Sequence, residues 1–115
     1  MANILDKFSC AGKVAWVTGG SYGLGLAYGN AYAQAGAKVV FNDINQDLVD
    51  RGLENYKKLG IEAYGAVCDV TDEDAVNKFV ADVAQKVGPI DILVNNAGII
   101  KGIPMHEMTL REWEQ

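Results

Sequence analysis

The stretch Thr18-Gly19-Gly20-Ser21-Tyr22-Gly23-Leu24-Gly25 follows the β-branched and aromatic run Val14-Ala15-Trp16-Val17 and opens a segment rich in small residues. The apolar run predicts a strand and the small-residue segment a helix, so the glycines fall on a strand-to-helix turn. Glycines at 19, 23 and 25 let the backbone turn sharply and bring its N–H groups against a pyrophosphate at the positive end of that helix. A turn with this chemistry is the opening of a dinucleotide-binding βαβ unit.

The rest of the chain alternates in the same way. Strands are expected at 13–18, 38–42, 62–68 and 90–95, and helices at 24–35, 46–59 and 73–87, with a last helix starting near Leu110. Ala35-Gly36-Ala37 and Leu59-Gly60 read as glycine stops, and Gly88-Pro89 ends the third helix. Thr71 and Thr109 each stand three residues before an acid, Asp74 and Glu112, and both read as helix starts; only Thr109-Leu110-Arg111-Glu112 is a strict capping box. Strands alternating with helices of this length predict a parallel sheet covered on both faces, a Rossmann-type doubly wound α/β fold. The runs at 38–41 and 90–94 are nearly continuously apolar, as strands buried on both sides require.

No linker, repeat or composition shift divides the chain, so residues 1–115 read as the N-terminal, dinucleotide-binding part of a single Rossmann domain. A sheet ordered 3-2-1-4 leaves the fourth strand as an open apolar edge. That edge favours association with other chains, so the segment in isolation is expected to be unstable or to aggregate.

Charge and cysteine content remove several classes of function. The net charge is −5 and the ten Lys and Arg are scattered, which excludes a nucleic-acid footprint. No apolar run approaches the roughly 20 residues needed to cross a bilayer, and residues 1–6 have neither a basic start nor a long apolar stretch, so a soluble cytoplasmic protein is expected. Cys10 and Cys68 read as reduced thiols, with Cys68 buried in an apolar pattern. The single histidine, His106, offers no partner set for a metal, and no metal site is expected.

Asp43 stands at the end of the second strand, twenty residues after Gly23. An acid there accepts the ribose hydroxyls of an adenosine; its other reading is the cap of the next helix, which Asn45 could serve instead. The carboxylate repels a 2′-phosphate, and no Arg or Lys occupies positions 22, 44 or 45 to offset that, which favours NAD over NADP. Ala27, Gly29, Ala31, Ala33 and Ala35 let the first helix approach the sheet, and Tyr22 and Tyr28 read as wall or surface.

Three motifs stand in order at successive strand ends: Thr18-Gly-x-x-x-Gly-x-Gly25, Cys68-Asp69-Val70 and Asn95-Asn96-Ala97-Gly98. With them the chain resembles the short-chain dehydrogenase/reductase family from end to end. The resemblance implies that Gly19, Ser21, Tyr22, Gly23, Leu24 and Gly25 line the pyrophosphate and that Asp69 and Val70 meet the adenine. It also implies that Asn96, Ala97 and Gly98 back the cofactor's ribose and hold the central strand. The segments 41–46, 68–74 and 95–105 are similar to gluconate 5-dehydrogenases, which interconvert gluconate and 5-ketogluconate with a nicotinamide cofactor, NAD or in some relatives NADP. Lys101, just past the fourth strand, is then the candidate cation for a sugar-acid carboxylate, and His106 a weaker one.

Family members move the proton with an Asn, a Ser and a Tyr-x-x-x-Lys set. No tyrosine here is followed four residues later by lysine, so no catalytic residue is expected within 1–115 and the chain alone is expected to be inactive. The competing readings are a non-catalytic nucleotide-binding or regulatory module, or a dehydrogenase acting on another polyol or keto substrate. There is no G-x-x-x-x-G-K-[ST] for phosphoryl transfer, and a methyltransferase would not need the motif after the fourth strand. By resemblance, homo-oligomers are expected of the full-length protein.

Overall fold

The computed structural model describes residues 8–97. Along them run β1 (Val14–Thr18), α1 (Gly23–Gln34), β2 (Lys38–Asp43), α2 (Gln46–Lys58), β3 (Tyr64–Val67), α3 (Glu73–Lys86) and β4 (Ile92–Val94). The strands form one parallel sheet in the order β3-β2-β1-β4, as the alternation of segments predicts.

Side-chain alternation along the strands assigns the helices to faces. Val39 and Phe41 of β2 pack with Val49 and Tyr56 of α2, and Leu26, Tyr32 and Ala33 of α1 close over them. Val14 and Trp16 of β1 and Val40 of β2 point the other way, onto Phe79 and Val83 of α3. The split follows from topology: the chain moves outward through β2 and β3, then returns past β1 to β4. With right-handed crossovers, that reversal puts α3 on the opposite face. Each aromatic so enclosed contributes on the order of 1.5–3 kcal/mol of burial, and Trp16 and Phe79 stack with centroids 4.6 Å apart.

The helix ends obey local chemistry. Gly36 (φ +100°) and Gly60 (φ +76°) terminate α1 and α2 with paired bonds back into the last turn, Ala37 N–H to the Tyr32 carbonyl and Ile61 N–H to the Tyr56 carbonyl. The start of α3 differs from expectation by one residue. Asp72, not Thr71, is the cap, its Oδ1 accepting the Ala75 N–H at 3.2 Å. Thr71 is already engaged, since its N–H and hydroxyl both donate to Asp69 Oδ1 at 2.9 and 2.7 Å.

Two strands are shorter than their apolar runs. In β3 the first residues are taken up by the turn after Gly60, and pairing begins at Val40 opposite Tyr64. Before β4, the Asp91 carboxylate takes the Val14 N–H at 2.9 Å, so a side chain occupies a ladder position and β4 starts at Ile92. β1 and β2 are buried on both faces, apart from Lys38 at the start of β2, whereas Leu93 in β4 is 51% exposed, consistent with an open edge.

Both cysteines are free, and Cys68 is buried. Burial, with Asp69 and Asp72 nearby, pushes its thiol above the ordinary range. Among the described residues no helix is long and apolar enough to cross a membrane, and no group of three His, Cys, Asp or Glu is placed to hold a metal. The expected last helix from Leu110, with its Thr109 cap, lies outside the described residues, as do Gly98, Lys101 and His106.

Candidate functional site

Because the strands are parallel, their carboxyl ends share one edge, and the register sets Thr18 beside Asn42, Asp43 beside Val67 and Val17 beside Val94. Gly19 to Gly25, Asp43, Cys68 to Val70 and Asn96-Ala97 are thereby gathered at that edge. It is the switch point of the sheet, where β1 is flanked on one side by β2 and on the other by β4, and where open α/β sheets bind ligands.

The three turn glycines meet three different demands. Gly19 (φ +63°) is left-handed and packs against Ala97, whose Cα lies 3.2 Å from where a Cβ on Gly19 would be. Gly23 (φ +60°) is also left-handed, but a Cβ there would meet nothing within 4 Å, so space in front of it is open. Gly25 has no such backbone demand; a Cβ on it would strike the Gly19 carbonyl and come within 2.7 Å of Asn96 Nδ2.

The helix opened by this turn differs from its neighbours at the N-terminus. α2 is capped by Asn45, whose Oδ1 takes the Leu48 N–H at 2.9 Å, and carries Asp47 in its first turn. α3 is capped by Asp72 and carries Glu73 and Asp74. In α1 the cap position is Tyr22, with no side-chain cap bond and no acid in the first turn. Among the described residues neither the cap nor the first turn of α1 supplies an anion to its positive end, which leaves that end suited to a bound phosphate. Tyr22 and Leu24 are exposed beside it, whereas Ser21 is fully enclosed with no partner for its Oγ among the described residues.

The carbonyls of the turn are held from behind. The Gly19 carbonyl accepts from Asn96 Nδ2 at 3.2 Å, the Gly20 carbonyl from the Tyr56 hydroxyl at 3.0 Å, and the Ser21 carbonyl from Asn55 Nδ2 at 3.0 Å. In a trans peptide the next residue's N–H points opposite to the carbonyl, so pinning these three oxygens orients the N–H groups of Gly20, Ser21 and Tyr22 away from those anchors.

Asp43 is nearly buried at the end of β2 and is not a helix cap, since Asn45 fills that role. Its Oδ1 takes the Ile44 N–H at 3.1 Å and its Oδ2 has no partner among the described residues. Among the described residues the only ion pair is Lys58 with Glu54, at 3.7 Å on the surface, so no cation faces Asp43. An uncommitted carboxylate oxygen in such a place suits the hydroxyl pair of a ribose and opposes a second anion. Asp69 is exposed, and the Thr71 hydroxyl and N–H hold its carboxyl below the usual carboxylate range. Val70 is exposed beside it.

Thr18 ties the edge together. Its Oγ1 accepts the N–H groups of Asn96 at 2.9 Å and Ala97 at 3.0 Å and donates to the Val94 carbonyl at 3.3 Å. The first motif of the sequence is joined to the third through this one oxygen. Beneath it, buried Asn42 accepts from Trp16 Nε1 at 2.8 Å and donates to the Cys68 carbonyl at 2.8 Å, linking β1, β2 and the end of β3. Sequence reasoning gave no role to Asn42, Asn55 or Tyr56. The available signal was a lone amide inside the apolar run 38–41 and its continuation, and a pair of polar-tipped residues in the second half of α2.

The family model described as short chain dehydrogenase matches residues 13–115. The chain belongs to the short-chain dehydrogenase family. A gluconate 5-dehydrogenase from Gluconobacter oxydans (strain 621H) is 43% identical over 109 residues, covering 95% of this chain and 43% of the relative. The solved 2-keto-3-deoxy-D-gluconate dehydrogenase from Streptococcus agalactiae is 59% identical with a TM-score of 0.83, covering 97% of this chain and 42% of that one. A solved gluconate 5-dehydrogenase from Burkholderia cenocepacia J2315, in complex with NADP and tartrate, is 35% identical with a TM-score of 0.81, covering 97% and 44%. This short-chain dehydrogenase chain therefore spans less than half the length of the relatives it matches.

Proposed function

We propose that this chain is the cofactor-binding part of an NAD(P)-dependent oxidoreductase acting on a six-carbon sugar acid, interconverting gluconate and 5-ketogluconate. The observation that carries the reading is the pairing, at one sheet edge, of a helix N-terminus with no acid in its cap or first turn and a carboxylate oxygen with no partner among the described residues. When bound, a nicotinamide dinucleotide supplies the hydride donor or acceptor. The N–H groups of the turn from Gly19 to Gly25 hold the diphosphate, with Ser21 beneath it and Tyr22 and Leu24 flanking it. Asp43 accepts the ribose hydroxyls, Asp69 and Val70 border the adenine, and Asn96, Ala97 and Gly98 back the second ribose.

The lone carboxylate of Asp43, facing no cation among the described residues, supports NAD as the preferred cofactor. A 35% identical relative was solved in complex with NADP, which supports NADP as the alternative cofactor. A second substrate reading, 2-keto-3-deoxygluconate, is favoured by the 59% identical solved structure. Both candidate substrates carry a carboxylate, for which Lys101 is the proposed partner, and Lys101→Met should raise KM for the sugar acid with little change in kcat. A soluble cytoplasmic homo-oligomer belongs to the same proposal.

The test is calorimetry of the full-length protein with NADH and NADPH, followed by turnover assays on gluconate, 5-ketogluconate and 2-keto-3-deoxygluconate. Binding of NADH with turnover of one sugar acid is expected. No heat of binding with either nucleotide would remove the proposal, and binding without turnover would favour a regulatory module.

A further inference from the structure

We propose that Tyr56 and Asn55, on the face of α2 turned toward the glycine turn, are positioning residues that hold its peptide planes in the orientation that receives a diphosphate. The inference rests on reading that turn as the diphosphate site. Tyr56 is fully buried among Val39, Phe41 and Val49, a setting in which phenylalanine would pack as well. A phenol placed there needs a partner for its hydroxyl, and the partner is the Gly20 carbonyl at 3.0 Å. The neighbouring Asn55 donates to the next carbonyl, that of Ser21, also at 3.0 Å.

Two glycines outside the turn make this reach possible. A Cβ on Gly29 of α1 would run into the Tyr56 hydroxyl, and a Cβ on Gly52 of α2 would lie 2.6 Å from the Phe41 ring and 2.9 Å from Ser21 Cα. Neither Gly29 nor Gly52 has a positive φ, so space and not backbone conformation accounts for them. Burial pushes the Tyr56 hydroxyl up to about 12, which keeps it a protonated donor across the physiological range. With the Gly20 and Ser21 oxygens fixed by α2, the N–H groups of Ser21 and Tyr22 are set before any ligand arrives, and binding need not order them.

The experiment compares ADP with adenosine as competitors of NADH on the full-length protein, in the wild type, Tyr56→Phe and Asn55→Ala. Loss of one oriented amide should weaken ADP by about 3- to 10-fold in either variant while leaving adenosine unchanged. Equal ADP affinity in variants and wild type overturns the inference, as does a parallel loss for ADP and adenosine, which marks general loosening. Should Tyr56→Phe fail to fold, Asn55→Ala decides alone, because its side chain is only partly buried. A wild type that binds neither NADH nor ADP overturns the diphosphate reading itself, and this inference with it.

Discussion

Replacing Thr18 with valine preserves the shape of a buried side chain and deletes one oxygen that makes three hydrogen bonds. The Asn96 N–H, 2.9 Å from Oγ1, also reaches the Val94 carbonyl at 3.1 Å and keeps a partner. The Ala97 N–H, held at 3.0 Å, has no other acceptor among the described residues. An orphaned N–H costs about 1–3 kcal/mol and each lost bond about 0.5–1.5 kcal/mol net, and solvent near Ala97 recovers part of the loss. The balance is about 2–3 kcal/mol. In urea titrations of the full-length protein, with a slope of about 1–3 kcal/mol per molar, the midpoint should fall by about 0.7–3 M. Thermal melting should fall by roughly 2–4 °C for each kcal/mol if the domain has 150–250 residues. Thr18→Ser keeps the oxygen and loses one methyl, about 0.8 kcal/mol. A valine variant within 0.5 kcal/mol of wild type, or a serine variant as damaged as the valine one, would refute the role given to Oγ1.

Gly25→Ala must push both the Gly19 carbonyl and the Asn96 amide aside, so a loss of about 3 kcal/mol or more in chemical denaturation is expected; wild-type stability would contradict the packing. Asp43→Asn removes the charge that the proposed cofactor site sets against the 2′ position, and the ratio of NADPH to NADH affinity should rise by about tenfold or more, read by fluorescence titration. Native Cys68 should resist a thiol-directed disulfide reagent at pH 8, because its raised pKa keeps it protonated and burial shields it, and should react once denatured. Thr71→Val removes the hydroxyl that depresses Asp69, so the Asp69 titration followed by NMR should move upward. Since a depressed carboxyl contributes stability above its unfolded pKa and loses it as pH falls through the folded value, that variant should also lose less stability on acidification.

Much of the site was legible because its chemistry is local. A left-handed Gly23 and a glycine stop at Gly36 are demands on single residues, and they fall where the sequence places them. Asn45 and Asp43 divided their two tasks as residue spacing allowed, with the cap to Asn45. The cap of α3 was misplaced by one residue because Thr71 and Asp72 are both able caps, and the decision came from Asp69, which had already engaged Thr71. Strand ends were overrun for a similar reason: side chains of Asp91 and Thr18 replace ladder bonds at the two ends of the β1–β4 pairing, which no hydrophobic pattern records.

The residues in order determined a parallel α/β sheet with a glycine turn between its first strand and helix, because periodicity of apolar residues and the φ freedom of glycine act within a few residues of each other. Tertiary structure decided what stands behind that turn. Three carbonyls anchored by Asn96, Tyr56 and Asn55, and motifs fastened to one another through the Thr18 hydroxyl and the Asn42 amide, join residues far apart in the chain. Their meeting depends on sheet order and on the spaces left by Gly29 and Gly52, and those exist only after helices and strands have packed.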